Sequence, residues 1–117
     1  MQQLSNYEKN IRPWGNYKRF TLNEATTVKI IFVSPTEAFS LQTHKHRAEF
    51  WRILKGSGTI TVGNSTVVAQ EGDEFYIEKE THHRAEAGTQ GLEFLEIAFG
   101  EFDEQDITRL EDKYGRI

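Results

Sequence analysis

The sequence predicts an all-β fold, an antiparallel barrel or double-sheet jelly roll closed by a short C-terminal helix. Three observations carry this expectation. β-Branched and aromatic runs fill the middle of the chain, turn residues recur about every eight to twelve positions, and only the tail changes to a helical period. A length of 117 residues suits one domain over 1–117.

The elements follow in order. Thr26 to Val33, TTVKIIFV, is rich in β-branched residues and reads as a strand. Phe39–His44, Ala48–Leu54, Ser57–Val62, Ser65–Gln70, Asp73–Glu78, His82–Ala87 and Leu92–Phe99 read the same way. Turn signals separate them at Gly56 to Gly58, Gly63-Asn64, Glu71 to Asp73 and Gly88 to Gly91. Gly63 and Asn64 both tolerate positive φ, so Thr59 to Val68 reads as a tight hairpin. In the tail, Asp103 to Asp112 places Ile107 and Leu110 three apart and Tyr114 four further on, the spacing of one helical face. Asp103 would cap this helix and Gly115 end it.

Composition narrows the function classes. Fourteen Lys and Arg stand against 18 Asp and Glu, a net charge of −4, which argues against general nucleic-acid binding. There is no cysteine, so disulfides, thiolate metal sites and a cysteine nucleophile are excluded. No run reaches the ~20 apolar residues of a membrane helix, and the N-terminus lacks the apolar core of a signal peptide. A cytoplasmic protein with no membrane partner is expected.

The four histidines fall in two tight pairs, His44 with His46 and His82 with His83. Gln42 and His44 are two apart and would leave one strand face about 7 Å from each other. A turn at Lys45 to Ala48 would return Glu49 beside them, and His83 on a later strand would complete a set of four. Oxygen and imidazole donors suit one divalent ion; Zn is the first choice, with Mn, Fe, Co or Ni open.

Gln42, His44, Glu49 and Gly56 fall on the spacing H-x-H-x4-E-x6-G, and this stretch resembles the first motif of the cupin superfamily with Gln in the first ligand place. Gly72 and His83 match the second motif, G-x5-P-x-G-x2-H, although Glu78 and Glu80 stand for its Pro and second Gly. A closer resemblance runs through Arg12-Pro13-Trp14-Gly15-Asn16-Tyr17, Ser40 to Trp51, His83-Arg84 and Glu111 to Arg116. These segments are similar to the C-terminal isomerase domain of type II mannose-6-phosphate isomerases, which in bifunctional members follows a mannose-1-phosphate guanylyltransferase domain. Phe50 replaces the family's His before Trp51.

The resemblance implies a cupin barrel that interconverts mannose 6-phosphate and fructose 6-phosphate through an enediol. A metal would polarise the reacting oxygens, a base would carry the proton and a cation would hold the phosphate. His46 and Arg84 are the catalytic candidates, with Glu49, Lys18 and Lys29 also open as the base. Arg47, Arg84 and Arg116 are the candidates for the sugar phosphate, since a guanidinium fork matches phosphate oxygens. Strict alternation sets Arg84 on the face opposite His83. The same rule turns Glu96 outward, beneath an apolar face of Leu95, Ile97 and Phe99. Arg12 to Gly15 would line a pocket mouth or close one barrel end. A homodimer through an exposed sheet edge is a further expectation. The alternative function is a non-catalytic sugar- or metal-binding cupin module, or a cupin enzyme acting on another sugar metabolite.

Overall fold

A computed structural model describes residues 4–116. Nine strands follow in chain order: β1 Glu8–Arg12, β2 Gly15–Arg19, β3 Thr26–Val33, β4 Leu41–Thr43, β5 Arg47–Val62, β6 Ser65–Gln70, β7 Glu74–Ile77, β8 His83–Gly100 and β9 Thr108–Glu111. All named pairs are antiparallel. The long strands β5 and β8 pair along most of their length and are shared by two half-sheets. One half-sheet runs β7–β5–β8–β3 and the other β6–β5–β8–β4–β9. This is a double-sheet barrel, as expected.

Gly56 to Gly58 and Gly88 to Gly91, expected to be turns, are bends inside β5 and β8, whereas the expected turns at Gly63-Asn64 and Glu71 to Asp73 are present. Register shifts fall between Ile53 and Lys55 and between Gly56 and Gly58. Gly56 sits at φ +82°, and a Cβ there would lie 2.2 Å from the Gly91 carbonyl oxygen. The two strands cross too closely at this point for any side chain, so the ladder continues through the bend instead of breaking.

Each bend also changes which parity faces inward. On β5, Trp51 and Ile53 face the core before it and Ile60 after it; on β8, Ala85 and Ala87 precede Leu92 and Phe94. Leu92, Phe94, Glu96 and Ala98 therefore share one buried face. The outward reading of Glu96 is corrected here: it is 5 % exposed and lies inside. Ile97 instead packs outside the barrel with Leu4, Phe50, Tyr7, Phe20 and Phe99.

The expected C-terminal helix is absent, and no helix occurs among the described residues. Thr108 to Glu111 forms β9 on the free edge of β4, with Gln42 opposite Arg109. A single turn or two of helix is marginal by itself, and β-branched Ile107 and Thr108 lower it further. A sheet edge offers backbone partners at once. Arg12 to Gly15 neither closes the barrel nor lines its mouth; Pro13 and Trp14 form the turn of the β1–β2 hairpin, and Trp14 is exposed.

Gly56→Ala should cost about 3 kcal/mol or more, from backbone strain and overlap with Gly91. Gly72→Ala, at φ +91° with open space around it, should cost only about 1–2 kcal/mol. Urea denaturation of the two variants checks this contrast.

Candidate metal centre

Short β4 carries Gln42, the turn after it carries His44, and the start of β5 carries Arg47 and Glu49. The first residue of β8 is His83, paired with Gln42 across β4 and with Val62 across β5. Three strands thus deliver one polar cluster to the barrel interior. His44, Glu49 and His83 are each buried, and one ligand atom from each lies within 4.8 Å of the others.

Both imidazoles are fixed in the same sense. His44 Nδ1 donates to the Asp106 carbonyl oxygen at 2.6 Å, and His83 Nδ1 donates to that of Thr81 at 2.9 Å. Each ring then presents the lone pair of Nε2 inward. His44 Nε2 is 3.6 Å from Glu49 Oε2, and His83 Nε2 is 3.7 Å from Glu49 Oε1. His83 Nε2 is buried without a hydrogen-bond partner. A buried acceptor left alone is costly. Donors sharing one tetrahedral ion at ~2.1 Å lie roughly 3.4 Å apart, close to these separations. The chemistry and spacing of this set fit a divalent ion.

Two neighbours bear on that fit. Gln42 Nε2 donates to His44 Nε2 at 3.2 Å, while Gln42 Oε1 accepts from Ser40 Oγ at 2.7 Å. Ligation by Gln42 requires its amide to turn, and the Ser40 hydroxyl can accept as well as donate. Arg47 Nε donates to Glu49 Oε2 at 2.9 Å, and its Nη2 lies 3.2 Å from His44 Nε2. Arg47 also donates to the Asp103 carbonyl and lies over the Phe102 ring at 4.3 Å. Trp51 Nε1 donates to Glu49 Oε1 at 3.2 Å.

Burial lowers the basicity of both histidines, most directly through loss of solvation, and favours the neutral rings a metal requires. Burial also opposes charge on Glu49, but His83, the Arg47 hydrogen bond and His44 outweigh it, so its carboxyl lies below the usual range. Glu96 is pushed up to about 8, first by burial and then by the charge of Glu49. One carboxylate holds the charge in this interior and its neighbour holds a proton.

The other sequence candidates lie elsewhere. His46 is exposed on the outer side of the turn, where its backbone N–H donates to Asp106 Oδ2. It borders an open cavity of about 410 Å³ shared with Lys45, Asp103 and Asp106. Arg84 points out of the barrel to the Phe39 carbonyl and Glu111. Arg116 pairs with Asp112 near the chain end. Lys18 lies on the β1–β2 hairpin, and Lys29 pairs with Glu104. Two members of the site were missed in the sequence, Asp106 because it was not singled out and Glu96 because it was turned outward. Asp106 orients His44 through its carbonyl, a role that leaves no side-chain signature; Glu96 was hidden by a second apolar face on its strand.

Comparison with known proteins places this arrangement. The barrel resembles a cupin 2 conserved barrel domain protein from Rhodopseudomonas palustris, with a TM-score of 0.64, 25 % identity, and coverage of 70 % of this chain and 57 % of that one. It also resembles oxalate decarboxylase from Bacillus subtilis, with a TM-score of 0.68, 22 % identity, and coverage of 92 % and 31 %. The fold is that of the cupins. Within that class, residues 1–112 match the family described as mannose-6-phosphate isomerase C-terminal, and the chain belongs to it. Alginate biosynthesis protein AlgA of Pseudomonas aeruginosa is 38 % identical over 116 residues, which are 97 % of this chain and 24 % of that protein. Mannose-1-phosphate guanylyltransferase ManC of Salmonella typhimurium is 36 % identical over 108 residues, 91 % of this chain and 22 % of the relative. The chain thus spans about a quarter of the length of these relatives.

These names correct the expected activity. Several relatives are named mannose-1-phosphate guanylyltransferases, a different reaction from aldose–ketose isomerisation. The family's title describes the domain, and no isomerase activity follows for this chain. No helix among the described residues is long and apolar enough to cross a membrane.

Arg47→Gln should cost about 3–5 kcal/mol of stability, because it strands the Glu49 charge in the interior. Arg52→Gln, which breaks the partly exposed pair with Glu74, should cost less than ~1 kcal/mol. Chemical denaturation of the two variants at neutral pH separates these cases.

Proposed function

We propose that this chain is a metal-binding sugar-phosphate recognition module that works with mannose-1-phosphate guanylyltransferase chemistry. The observation that carries the reading is the convergence of His44, Glu49 and His83 on one buried point with His83 Nε2 unpartnered. Gln42, His44, Glu49 and His83 would hold one divalent ion, Zn before Mn, Fe, Co or Ni. The ion would supply a Lewis-acidic centre for sugar oxygens.

The remaining work belongs to the chain's own residues. An ion and Arg47 Nη2 draw on the same single lone pair of His44 Nε2, whereas the Glu49 carboxylate has lone pairs for both. With an ion on His44, Nη2 would be freed while Arg47 stays held by Glu49, the Asp103 carbonyl and the Phe102 ring, and it is the cation best placed for phosphate oxygens. His46 and Lys45, on the adjoining cavity, would meet the sugar phosphate as it enters. Arg84 and Arg116 take no part in this reading, since each is held by a carboxylate away from the cluster. The names of the relatives point to a mannose phosphate as the ligand. Without cysteines the chain suits a reducing compartment, and we place it in the cytoplasm.

Protein prepared without a chelating column should carry or take up one equivalent of Zn by elemental analysis and calorimetry. His44→Ala or His83→Ala should weaken uptake by at least about 100-fold. Metal-loaded protein should bind mannose 1-phosphate, and folded Arg47→Gln should bind it about 10- to 100-fold more weakly. Absence of metal uptake by well-folded protein removes this reading.

A further inference from the structure

β9 is the last strand of the half-sheet that carries the site, and one of its side chains has no partner. Arg109 lies directly across from Gln42 on β4, and Gln42 lies across from His83 on β8. Residues opposite each other in an antiparallel pair share a sheet face. The row Arg109, Gln42, His83 therefore stands on one face. It is the face of the metal centre, since Gln42 Nε2 reaches His44 Nε2 at 3.2 Å. Two strand spacings set the Arg109 backbone roughly 10 Å from that of His83, at the open end of the row. An arginine side chain is long enough to cover much of that distance.

The charge of Arg109 is unmatched. Arg19, Arg47, Arg52, Arg84 and Arg116 each pair with a carboxylate, and Arg12 reaches the Tyr17 hydroxyl. The Arg109 side chain makes no ion pair or hydrogen bond among the described residues, and its Nε is buried without an acceptor. A buried donor of a cation that goes unmet is costly. The nearby acidic residues of its own segment are spent elsewhere. Asp106 accepts from the backbone N–H groups of Lys45 and His46. Glu111, beyond the register shift beside Gln42, holds Arg84 outside the barrel. The chain sets a guanidinium on the metal face and supplies no anion for it.

The ligand that answers this is an anion of more than one charge. Arg47 approaches the same centre from β5, but Glu49 offsets its charge at 2.9 Å. Arg109 and an ion are the charges left without a counterpart. A phosphate monoester carries about −1.5 to −2 at neutral pH and offers three oxygens to a planar fork, whereas a phosphodiester carries one charge and a free sugar none. Resting on the proposed function, we propose that Arg109 is a phosphate anchor of this centre. It binds the phosphate of a sugar monophosphate and sets the ligand class as a dianionic monoester. Arg47, with Nη2 freed, is the second donor to the same group.

Calorimetry on the full, Zn-loaded chain tests this with mannose 1-phosphate, its methyl phosphodiester and methyl α-mannoside as probes. Wild type should bind the monoester about 10-fold more tightly than the diester. Arg109→Gln should bind the monoester about 10- to 100-fold more weakly and methyl mannoside as wild type does. Its preference between the two esters should fall to about 3-fold or less. Arg109→Lys, which retains the charge but not the fork, should lie between the two. Zn uptake by Arg109→Gln should stay within about 3-fold of wild type, with no fall in its urea midpoint, because an unmatched donor is what it removes. Wild-type affinity for the monoester in Arg109→Gln overturns the proposal. So does a wild type that does not distinguish the esters, or a loss of Zn uptake or stability large enough to account for the weaker binding. If Zn-loaded wild type binds no mannose 1-phosphate, the functional reading falls and the anchor with it. If wild type binds it and only the Arg109 results fail, the functional reading stands without the anchor.

Discussion

A single buried carboxylate organises this interior. Glu49 is 1 % exposed, and an ionised carboxylate without partners cannot be afforded there. Arg47 and Trp51 donate to its two oxygens, and the Nε2 atoms of His44 and His83 face them at 3.6 and 3.7 Å without a hydrogen bond. Each of those groups is then committed in turn. Trp51, drawn in by its N–H, stacks near Phe94 and edge-on to Phe39, so the polar cluster continues directly into the apolar core. Glu96, close to the same charge, resolves the conflict by retaining its proton. The polar centre and the hydrophobic packing are one arrangement, and disturbance at Glu49 reaches both.

The cluster exists because two strands change parity. Glu49 precedes the β5 bend and His83 precedes the β8 bend, and the close crossing of Gly56 over Gly91 holds the two halves of the barrel in register. Had either strand run straight through its glycines, strict alternation would have carried Ile60 or Phe94 to the outer face. The bends therefore do more than close the barrel. They let one strand contribute ligands to one half-sheet and core residues to the other.

These same features explain what the sequence could and could not disclose. The meeting of Gln42, His44, Glu49 and His83 in one cluster was legible because side-chain spacing on strands is local: two apart, then one turn, then one later strand. The strands from Thr26 onward were legible from their composition. Glu96 was not, because Leu95-Ile97-Phe99 and Leu92-Phe94-Ala98 are both apolar, and only the bend decides which faces inward. The tail misled because Ile107, Leu110 and Tyr114 match a helical period that the edge of β4 overrides. The β1–β2 hairpin, rich in charged and polar residues and lacking an apolar alternation, offered no strand signal at all. Arg12 to Gly15 was conspicuous as a motif, but a motif does not reveal that it is a turn held away from the barrel. The activity was the least legible of all, since a ligand set on a shared fold does not define the reaction.

The segment from Phe102 to Asp106 joins the site to its surroundings. Its carbonyls hold His44 Nδ1 and Arg47, its Phe102 ring lies against the Arg47 guanidinium, and Glu104 is tied to Lys29. The Asp106 carboxylate accepts from the backbone N–H groups of Lys45 and His46. The same segment thus aims one imidazole, holds the Arg47 guanidinium and borders an open cavity beside Lys45 and His46. Disturbing this segment would release both the carbonyl that fixes the His44 ring and the one that holds the Arg47 guanidinium. The aim of the imidazole and the place of the cation therefore rest on two backbone carbonyls rather than on any residue type that a sequence motif records.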